Sequence, residues 1–157
     1  MGDLMADHHL LGRPTRLSRE APVVVLRHER EFTVPGGAAN CAANLVSLGA
    51  RVHLFGVIGK DAPGARLKAL LAKASTTGIV SDGGYPTITK TRILAGGAHR
   101  TKQQIVRIDR EPPDMPRALA LRLERAVAAA PRMDAWILSD YGYGAVTEGI
   151  LARLRKA

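Results

Sequence analysis

The chain has 157 residues, the usual size of one globular domain. Hydrophobic residues make up 46% and charged residues 24% of it, as in ordinary water-soluble domains. No apolar run reaches the roughly 20 residues of a membrane span, and the acidic N-terminus lacks the basic region of a secretory signal. A single cysteine, Cys41, excludes an internal disulfide and suits a reducing compartment. These observations predict a cytoplasmic protein without membrane association.

The formal net charge of +9 raises the question of nucleic acid as a partner. The basic residues are mostly arginines scattered along the chain, and aromatic residues, which stack on bases, make up only 4%. Both features argue against nucleic-acid binding. An anionic small-molecule substrate and simple surface solubility explain the charge equally well, and composition leaves these two open.

In the first half of the chain, hydrophobic patterning predicts two short strands broken by prolines, a helix, a buried strand and a second helix, at residues 10–16, 23–34, 38–48, 52–57 and 62–74. The first helix should carry Leu45 and Leu48 on its apolar face and end at Gly49. Asp61 is expected to cap the second helix.

In the second half, the patterning predicts a short strand, a half-exposed strand, its hairpin partner, a helix, an apolar strand and a last helix, at residues 79–80, 87–94, 104–109, 114–130, 135–139 and 147–157. Asp114 is expected to cap the third helix, whose apolar residues Leu119, Leu123 and Val127 are spaced four apart, and Thr147 is expected to cap the last helix. Alternating strands and helices indicate an α/β fold with a parallel sheet, and the hairpin indicates a separate small β element.

The most informative stretch lies at residues 35–50, where a diglycine precedes the alanine-rich helix. Gly36 and Gly37 allow backbone angles that a side chain forbids, and they let a ligand approach the main chain closely. A helix that begins directly after them presents free N–H groups, which favour hydroxyls or an anion, and Asn40 adds a polar side chain. The alternative is a strand-to-helix connection without a ligand, and the diglycine alone leaves both interpretations open.

Several motifs, in this order, resemble the ribokinase-like (PfkB) carbohydrate kinases, and within them most closely the D-glycero-D-manno-heptose 7-phosphate kinases. They are Gly2-Asp3-Leu4-Met5-Ala6-Asp7, Ser18-Arg19-Glu20-Ala21-Pro22-Val23, residues 35–50 followed by Gly59, Thr87-Ile88-Thr89-Lys90-Thr91-Arg92, Gln103–Asp109 and Leu138-Ser139-Asp140-Tyr141-Gly142. The resemblance runs from one end of the chain to the other, but it corresponds to only the N-terminal half of such a kinase domain.

The resemblance implies an α/β fold of the ribokinase type, a three-layer sheet with a small β-clasp lid. Residues 1–157 would be the N-terminal portion of a single kinase domain, with lid segments at about 10–35 and 87–109. The fold would be incomplete, lacking its first strand and its C-terminal half. Because the lid is often a dimer surface in this family, a homodimer through the lid is implied as well.

The resemblance also implies an activity, the transfer of a phosphoryl group from ATP, with Mg²⁺, to the anomeric hydroxyl of heptose 7-phosphate. The product would be the 1,7-bisphosphate of ADP-heptose and lipopolysaccharide core biosynthesis. The phosphorylated sugar is then the expected partner, bound by Asp7, Gly36, Gly37, Asn40, Lys90, Arg92, Gln104 and Arg107. Lys90, Arg92 and Arg107 suit phosphate oxygens, although a solvated strand face is the alternative for them.

Three departures from the family pattern limit these expectations. The Gly-Ala-Gly-Asp motif that carries the catalytic base is absent, so the base and main nucleotide site are expected outside this chain, which alone should be inactive. Tyr143 stands where the heptose kinases usually carry lysine, and Ala6 replaces a larger apolar residue. Asp140 is assigned to the region of the magnesium and phosphates, with a turn or capping role as its alternative.

Two further interpretations stay open from the sequence. One is another ribokinase-family sugar or nucleoside kinase. The other is a non-catalytic half-domain for sugar binding or dimerisation.

Overall fold

A computed structural model describes residues 1–97 and 101–155 as a mixed α/β chain. The described elements are the strands β1 (Leu4–Leu17), β2 (Val24–Gly37), β3 (His53–Gly59), β4 (Ser75–Asp82), β5 (Ile88–Ala95) and β6 (Gln103–Arg110), and the helices α1 (Ala38–Ser47), α2 (Ala62–Leu70), α3 (Arg117–Ala128) and α4 (Glu148–Leu154). The strands form a four-stranded sheet, in the order β2-β1-β5-β6, and a two-stranded sheet of β3 and β4.

The four-stranded sheet combines both kinds of strand pairing. Strand β1 is antiparallel to β2 and parallel to β5, and β5 is antiparallel to β6, which confirms the predicted hairpin. Part of the predicted turn at residues 95–101 lies outside the described residues. Strands β1 and β2 have 14 residues each, so the predicted lengths of the two proline-broken strands were wrong. Pro14 lies next to a register shift and Pro35 lies on the edge strand, two places where a missing N–H is tolerated.

The two-stranded sheet lies between two helical layers. On one side, Leu54, Ile58 and Ile79 pack into a buried cluster with residues of α1 and α2. On the other side, a second cluster joins β3 and β4 to α3 and α4. The predicted apolar stripe of α3 belongs to this second cluster, with Leu119, Leu123 and Val127 all buried. The three layers confirm the α/β class predicted from the sequence.

Both ends of α1 lie where they were predicted from the diglycine and from Gly49. Gly37, with φ 54°, immediately precedes it, and Gly49, with φ 89°, follows its end, where the Ala50 N–H donates to the Leu45 carbonyl at 3.0 Å. Its buried face was predicted wrongly, however, because Leu48 is 84% exposed. The residues that contact the core are small, which lets the helix approach β1 and β3 closely, namely Ala38, Ala39 and Ala42.

Two other predictions about the second half are corrected. Residues 135–139 do not form a strand, because in the described part of the chain they make a single bridge, a parallel one between Ser139 and Gly2. Asp114 does not cap α3, which begins after Pro116, a residue whose backbone lies outside the helical region. The caps of α2 and α4 are confirmed as Asp61 and Thr147, each of which accepts a bond from a first-turn N–H group.

Asp61 also ties α2 to the segment that leads into β5. Its Oδ1 accepts bonds from the Gly64 N–H at 3.0 Å and the Thr87 hydroxyl at 2.6 Å, and its Oδ2 accepts the Thr87 N–H at 3.0 Å. Burial alone would raise the pKa of this carboxyl, but the bonds from Thr87 and Gly64 outweigh it and hold the pKa below 3.8. Because Thr87 is fully buried, loss of the carboxylate would leave its donors unsatisfied.

We therefore expect Asp61→Ala to lower the free energy of unfolding at pH 7 by about 2 kcal/mol or more. The depressed pKa makes this stabilisation complete above the unfolded-state value, about 4, and removes it as the pH falls through the folded-state value. Urea unfolding at pH 7 and pH 3 measures the effect, with Asp114→Ala, at an exposed carboxylate, as the control. A difference between wild type and Asp61→Ala that stays constant down to pH 3 would contradict this.

Candidate functional site

One face of the four-stranded sheet brings together most of the charged residues singled out from the sequence. Asp7 of β1 lies in register with Lys90 of β5, which lies in register with Asp109 of β6. Since successive side chains of a strand point to opposite faces, the residues two positions along share this face. We call it the polar face, and its members include Asp7, His9, Phe32, Lys90, Arg92, Gln104, Arg107 and Asp109.

At the centre of the polar face, the Asp7 carboxylate lies against the backbone of β2. Its Oδ1 accepts a bond from Arg92 Nη1 at 2.5 Å, and both side chains are about three-quarters buried. A Cβ added to Gly36 would lie 2.6 Å from Asp7 Oδ2, so only glycine leaves room for the carboxylate there. The structure therefore places Asp7 in direct contact with both Gly36 and Arg92.

Helix α1 begins at Ala38, two residues after Gly36. The Ala38 N–H donates to the Asp3 carbonyl at 2.9 Å, and no side chain in the described part of the chain caps this helix. The following N–H groups of the first turn thus have no side-chain acceptor, as a ligand-binding helix start requires. Asn40 is exposed at the same turn.

Lys90 is held by three partners at the border of the polar face. Its Nζ lies 3.4 Å from Asp109 Oδ2, 3.4 Å from Glu111 Oε1 and 3.2 Å from the Tyr143 hydroxyl, which in turn donates to Glu111. Burial alone would lower the pKa of Lys90, but the bonds to Tyr143 and Asp109 outweigh it and raise the pKa. Lys90 is therefore a charged group in a fixed position, and an incoming phosphate would compete with two carboxylates for it.

The other predicted residues lie at the edges of this site. Arg107 Nε is 2.9 Å from Asp109 Oδ1, and the side chain is half exposed. Gln104 is exposed on β6, the opposite edge of the sheet from β2. Asp140 is exposed and accepts the Gly142 N–H at 2.9 Å, the turn role that the sequence left open, while a role beside magnesium stays a prediction. Within the described residues, no group of three or more His, Cys, Asp or Glu side chains is arranged to hold a metal ion.

Sequence reasoning missed two features of the site. His9 stacks on Phe32, with ring centroids 4.9 Å apart, and burial together with the charge of Arg92 lowers the pKa of His9. Asp3, to which the motifs assigned no role, is only 2% exposed. For His9, the available signal was its two-residue spacing from Asp7, because residues so spaced in a strand share a face. For Asp3, the available signal was the Gly2-Asp3 pair.

Comparison with solved structures defines the class of fold. Phosphofructokinase-2 from Escherichia coli, solved in complex with fructose-6-phosphate, matches 98% of this chain and 48% of its own, with a TM-score of 0.68 and 18% identity. Arabidopsis thaliana ribokinase, solved with ribose and ATP, matches 80% of this chain and 41% of its own, with a TM-score of 0.54 and 19% identity. The chain therefore has the ribokinase-like α/β fold that the resemblance predicted.

Sequence comparison then gives the family. Residues 3–111 match the model of the pfkB family carbohydrate kinases, and the chain belongs to this family. It is 44% identical over 156 residues to the bifunctional protein HldE of Gluconobacter oxydans and 42% identical over 165 residues to that of Helicobacter acinonychis. The alignments cover 96% and 99% of this chain, which spans about a third, 32% and 34%, of those relatives' length. No helix within residues 1–97 and 101–155 is long and apolar enough to cross a membrane.

Proposed function

We propose that this chain is the sugar-binding part of a kinase that phosphorylates D-glycero-D-manno-heptose 7-phosphate at its anomeric hydroxyl. ATP would be the phosphoryl donor, and the 1,7-bisphosphate would serve ADP-heptose and lipopolysaccharide core biosynthesis in the cytoplasm. The observation that carries the proposal is the Asp7 carboxylate, packed on Gly36 and paired with Arg92 at 2.5 Å, directly before an uncapped helix start. The resemblance to heptose kinases and the 44% identity to an HldE protein support this choice of sugar.

The chemistry of each group fits a polyhydroxylated, phosphorylated ligand. An ionised carboxylate accepts bonds from sugar hydroxyls, and the free N–H groups after Gly37 donate to them, with Asn40 close by. Cationic side chains of the polar face, Lys90 and Arg92 with Arg107 at its edge, suit the phosphate oxygens. The polar face thus offers a hydrogen-bond acceptor for sugar hydroxyls on β1 and hydrogen-bond donors for phosphate oxygens on the adjacent strand β5.

We propose that the 157 residues bind the sugar phosphate without transferring the phosphoryl group by themselves. Phosphoryl transfer depends on positioning the nucleotide and on stabilising the developing charge, which bound Mg²⁺ supplies in kinases. The Gly-Ala-Gly-Asp motif does not occur in this sequence, so we expect the base that would activate the anomeric hydroxyl to lie outside these residues.

Isothermal titration calorimetry of the whole chain tests the proposed ligand. We expect heptose 7-phosphate to bind more tightly than ribose 5-phosphate, fructose 6-phosphate or adenosine. Tighter binding of one of the other three would identify a different ribokinase-family kinase. The absence of any sugar-phosphate binding would refute the proposal and favour a dimerisation module.

We also propose that the four-stranded sheet acts as a lid over the sugar and as a homodimer surface. Closing a lid excludes water from a transferring phosphoryl group. The face of β6 opposite the polar face carries Val106 and Ile108, which are 46% and 56% exposed, and Ile105 beside them is 51% exposed. Apolar residues grouped on an edge strand are typical of an interface between subunits.

We expect the chain to sediment as a dimer, and Ile108→Lys to convert it to a monomer because it places a charge in the middle of the apolar group. Sedimentation velocity measures the change. Leu48→Lys is the matched control, because Leu48 is an exposed apolar residue directly after α1, at the end away from the sheet. A dimer that survives Ile108→Lys but is lost in Leu48→Lys would move the interface to α1.

A further inference from the structure

Asp3 is a buried residue, and both oxygens of its carboxylate accept hydrogen bonds from the backbone of one loop. Its Oδ2 accepts the N–H groups of Tyr141 at 2.8 Å and Tyr143 at 3.2 Å, and its Oδ1 accepts the N–H of Ala145 at 3.1 Å. The side chain is 2% exposed, so it has little access to water that could replace these bonds. Three charge-assisted bonds to alternate residues therefore fix the conformation of residues 141–145, which we call the Tyr143 loop.

The backbone of Asp3 joins this loop to the candidate sugar site. Its N–H donates to the Ser139 carbonyl at 3.1 Å, and its carbonyl accepts the Ala38 N–H at 2.9 Å, at the first turn of α1. Strand β1, which carries Asp7, begins at the next residue. One residue thus connects the Tyr143 loop, the helix start and the strand of the predicted carboxylate.

The far side of the Tyr143 loop reaches the polar face. Lys90 Nζ donates to the Tyr143 hydroxyl at 3.2 Å and lies 5.6 Å from the centre of the tyrosine ring, a distance at which the cation is attracted to the ring. The Tyr143 hydroxyl donates to Glu111, which also contacts Lys90. Tyr143 is therefore a contact of the Lys90 ammonium group in addition to Asp109 and Glu111.

We propose that Asp3 is a positioning residue, which fixes the Tyr143 loop so that Tyr143 sets Lys90 beside Asp7 for the phosphate of the substrate. Asp3 would not touch the ligand, since its carboxylate is occupied by the loop. The role for phosphate rests on the proposed function, whereas the contact from Asp3 to Lys90 through Tyr143 does not. An asparagine at position 3 cannot accept all three loop bonds, because one carboxylate oxygen is replaced by an NH₂ donor that would face an N–H group.

A measurement without ligand tests the contact itself. The ring of Tyr143 should shift the NMR signals of the Lys90 ε-methylene protons upfield in the whole chain. We expect Tyr143→Phe, which keeps the ring, to retain most of the shift, and Asp3→Asn to lose it. Asp82→Asn is the matched control, because Asp82 also accepts a backbone N–H, that of Gly84 at 2.9 Å, and lies outside the loop. Retention of the shift in Asp3→Asn would overturn the proposal.

A second variant covers the case that Asp3→Asn does not fold. Gly142 has φ 83° and no atom within 4 Å of an added Cβ, so Gly142→Ala strains the loop without a clash in the core. We expect it to reduce the upfield shift of Lys90 in a folded chain. An unchanged shift in Gly142→Ala would count against the proposal in the same way.

A binding cycle tests the consequence for the ligand. We expect Asp3→Asn to weaken binding of heptose 7-phosphate about tenfold, and to have no further effect in a Lys90→Met background, because it acts through Lys90. Equal weakening in both backgrounds would show a merely structural role and overturn the proposal. If the wild-type chain binds no heptose 7-phosphate, the proposed function fails, and the Lys90 shift alone then decides whether Asp3 positions Lys90.

Discussion

Asp7→Asn is expected to remove most of the affinity for heptose 7-phosphate, a loss of about 1.5–3 kcal/mol or roughly 10- to 150-fold. The charged acceptor for sugar hydroxyls is lost, and the amide places a donor where Arg92 Nη1 now donates at 2.5 Å. Arg92, about three-quarters buried, would then lack its carboxylate partner. The effect should therefore exceed that of removing a neutral hydrogen bond.

Calorimetric titration of both proteins with heptose 7-phosphate measures this loss. Glu29→Gln is the matched control, since Glu29 lies on β2, the antiparallel partner of the strand that carries Asp7, and forms ion pairs with Lys102 and Arg13. The control should retain the wild-type affinity within about threefold. Equal affinity of Asp7→Asn and wild type would mean that the sugar binds elsewhere.

Gly37→Ala is expected to lower the free energy of unfolding by at least about 2 kcal/mol, because an alanine is strained at its backbone angles. Gly37 has φ 54° and ψ −133°, and an added Cβ would lie 2.5 Å from the Asp3 carbonyl oxygen. That oxygen is backbone and accepts the Ala38 N–H, so it cannot move without disturbing the start of α1.

Urea unfolding measures the loss, with Gly83→Ala as its control. Gly83 is exposed and has no atom within 4 Å of an added Cβ, so its substitution should change stability by no more than about 0.5 kcal/mol. Similar stabilities of the two variants would contradict this prediction. They would show that the backbone at Gly37 tolerates a side chain despite the short distance to the Asp3 carbonyl oxygen.

Features of the fold that depend on local chemistry were predictable from the sequence. The diglycine and Gly49 gave the bounds of α1, and Asp61 and Thr147 gave the caps of α2 and α4, because a cap bonds within its own first turn. The spacing of Leu119, Leu123 and Val127 gave the buried face of α3 in the same way.

The errors concern contacts between distant parts of the chain. Residues 135–139 have the composition of a strand, but in the described part of the chain their backbone bonds link only residues 137–139 to residues 1–3, around a single bridge between Ser139 and Gly2, which is too short a pairing for a strand. Leu48 fits the apolar pattern of α1, yet the core accepts small alanines there, because the helix lies close to the sheet. Pro14 suggested a break in β1, whereas a register shift beside it keeps the strand continuous.

The candidate site shows the same division. The residue types of the site were predictable from motifs, and the strand pairing places Asp7, Lys90, Arg92, Gln104 and Arg107 on one face. The pairing of Asp7 with Arg92, 85 positions apart, and the bond from the Tyr143 N–H to Asp3, 140 positions apart, depend on the tertiary fold. No local pattern encodes such contacts, so the contacts of Asp3 and Tyr143 could be found only in the structure.

The most direct test of the proposed site is an NMR titration of the ¹⁵N-labelled chain with heptose 7-phosphate. If the sugar binds as proposed, the amide signals that move should be those of β1 around Asp7, the diglycine, the first turn of α1, and β5 between Lys90 and Arg92. Movements confined to other parts of the chain, or none at concentrations that saturate a sugar kinase, would contradict the central claim that this face is a sugar-phosphate site.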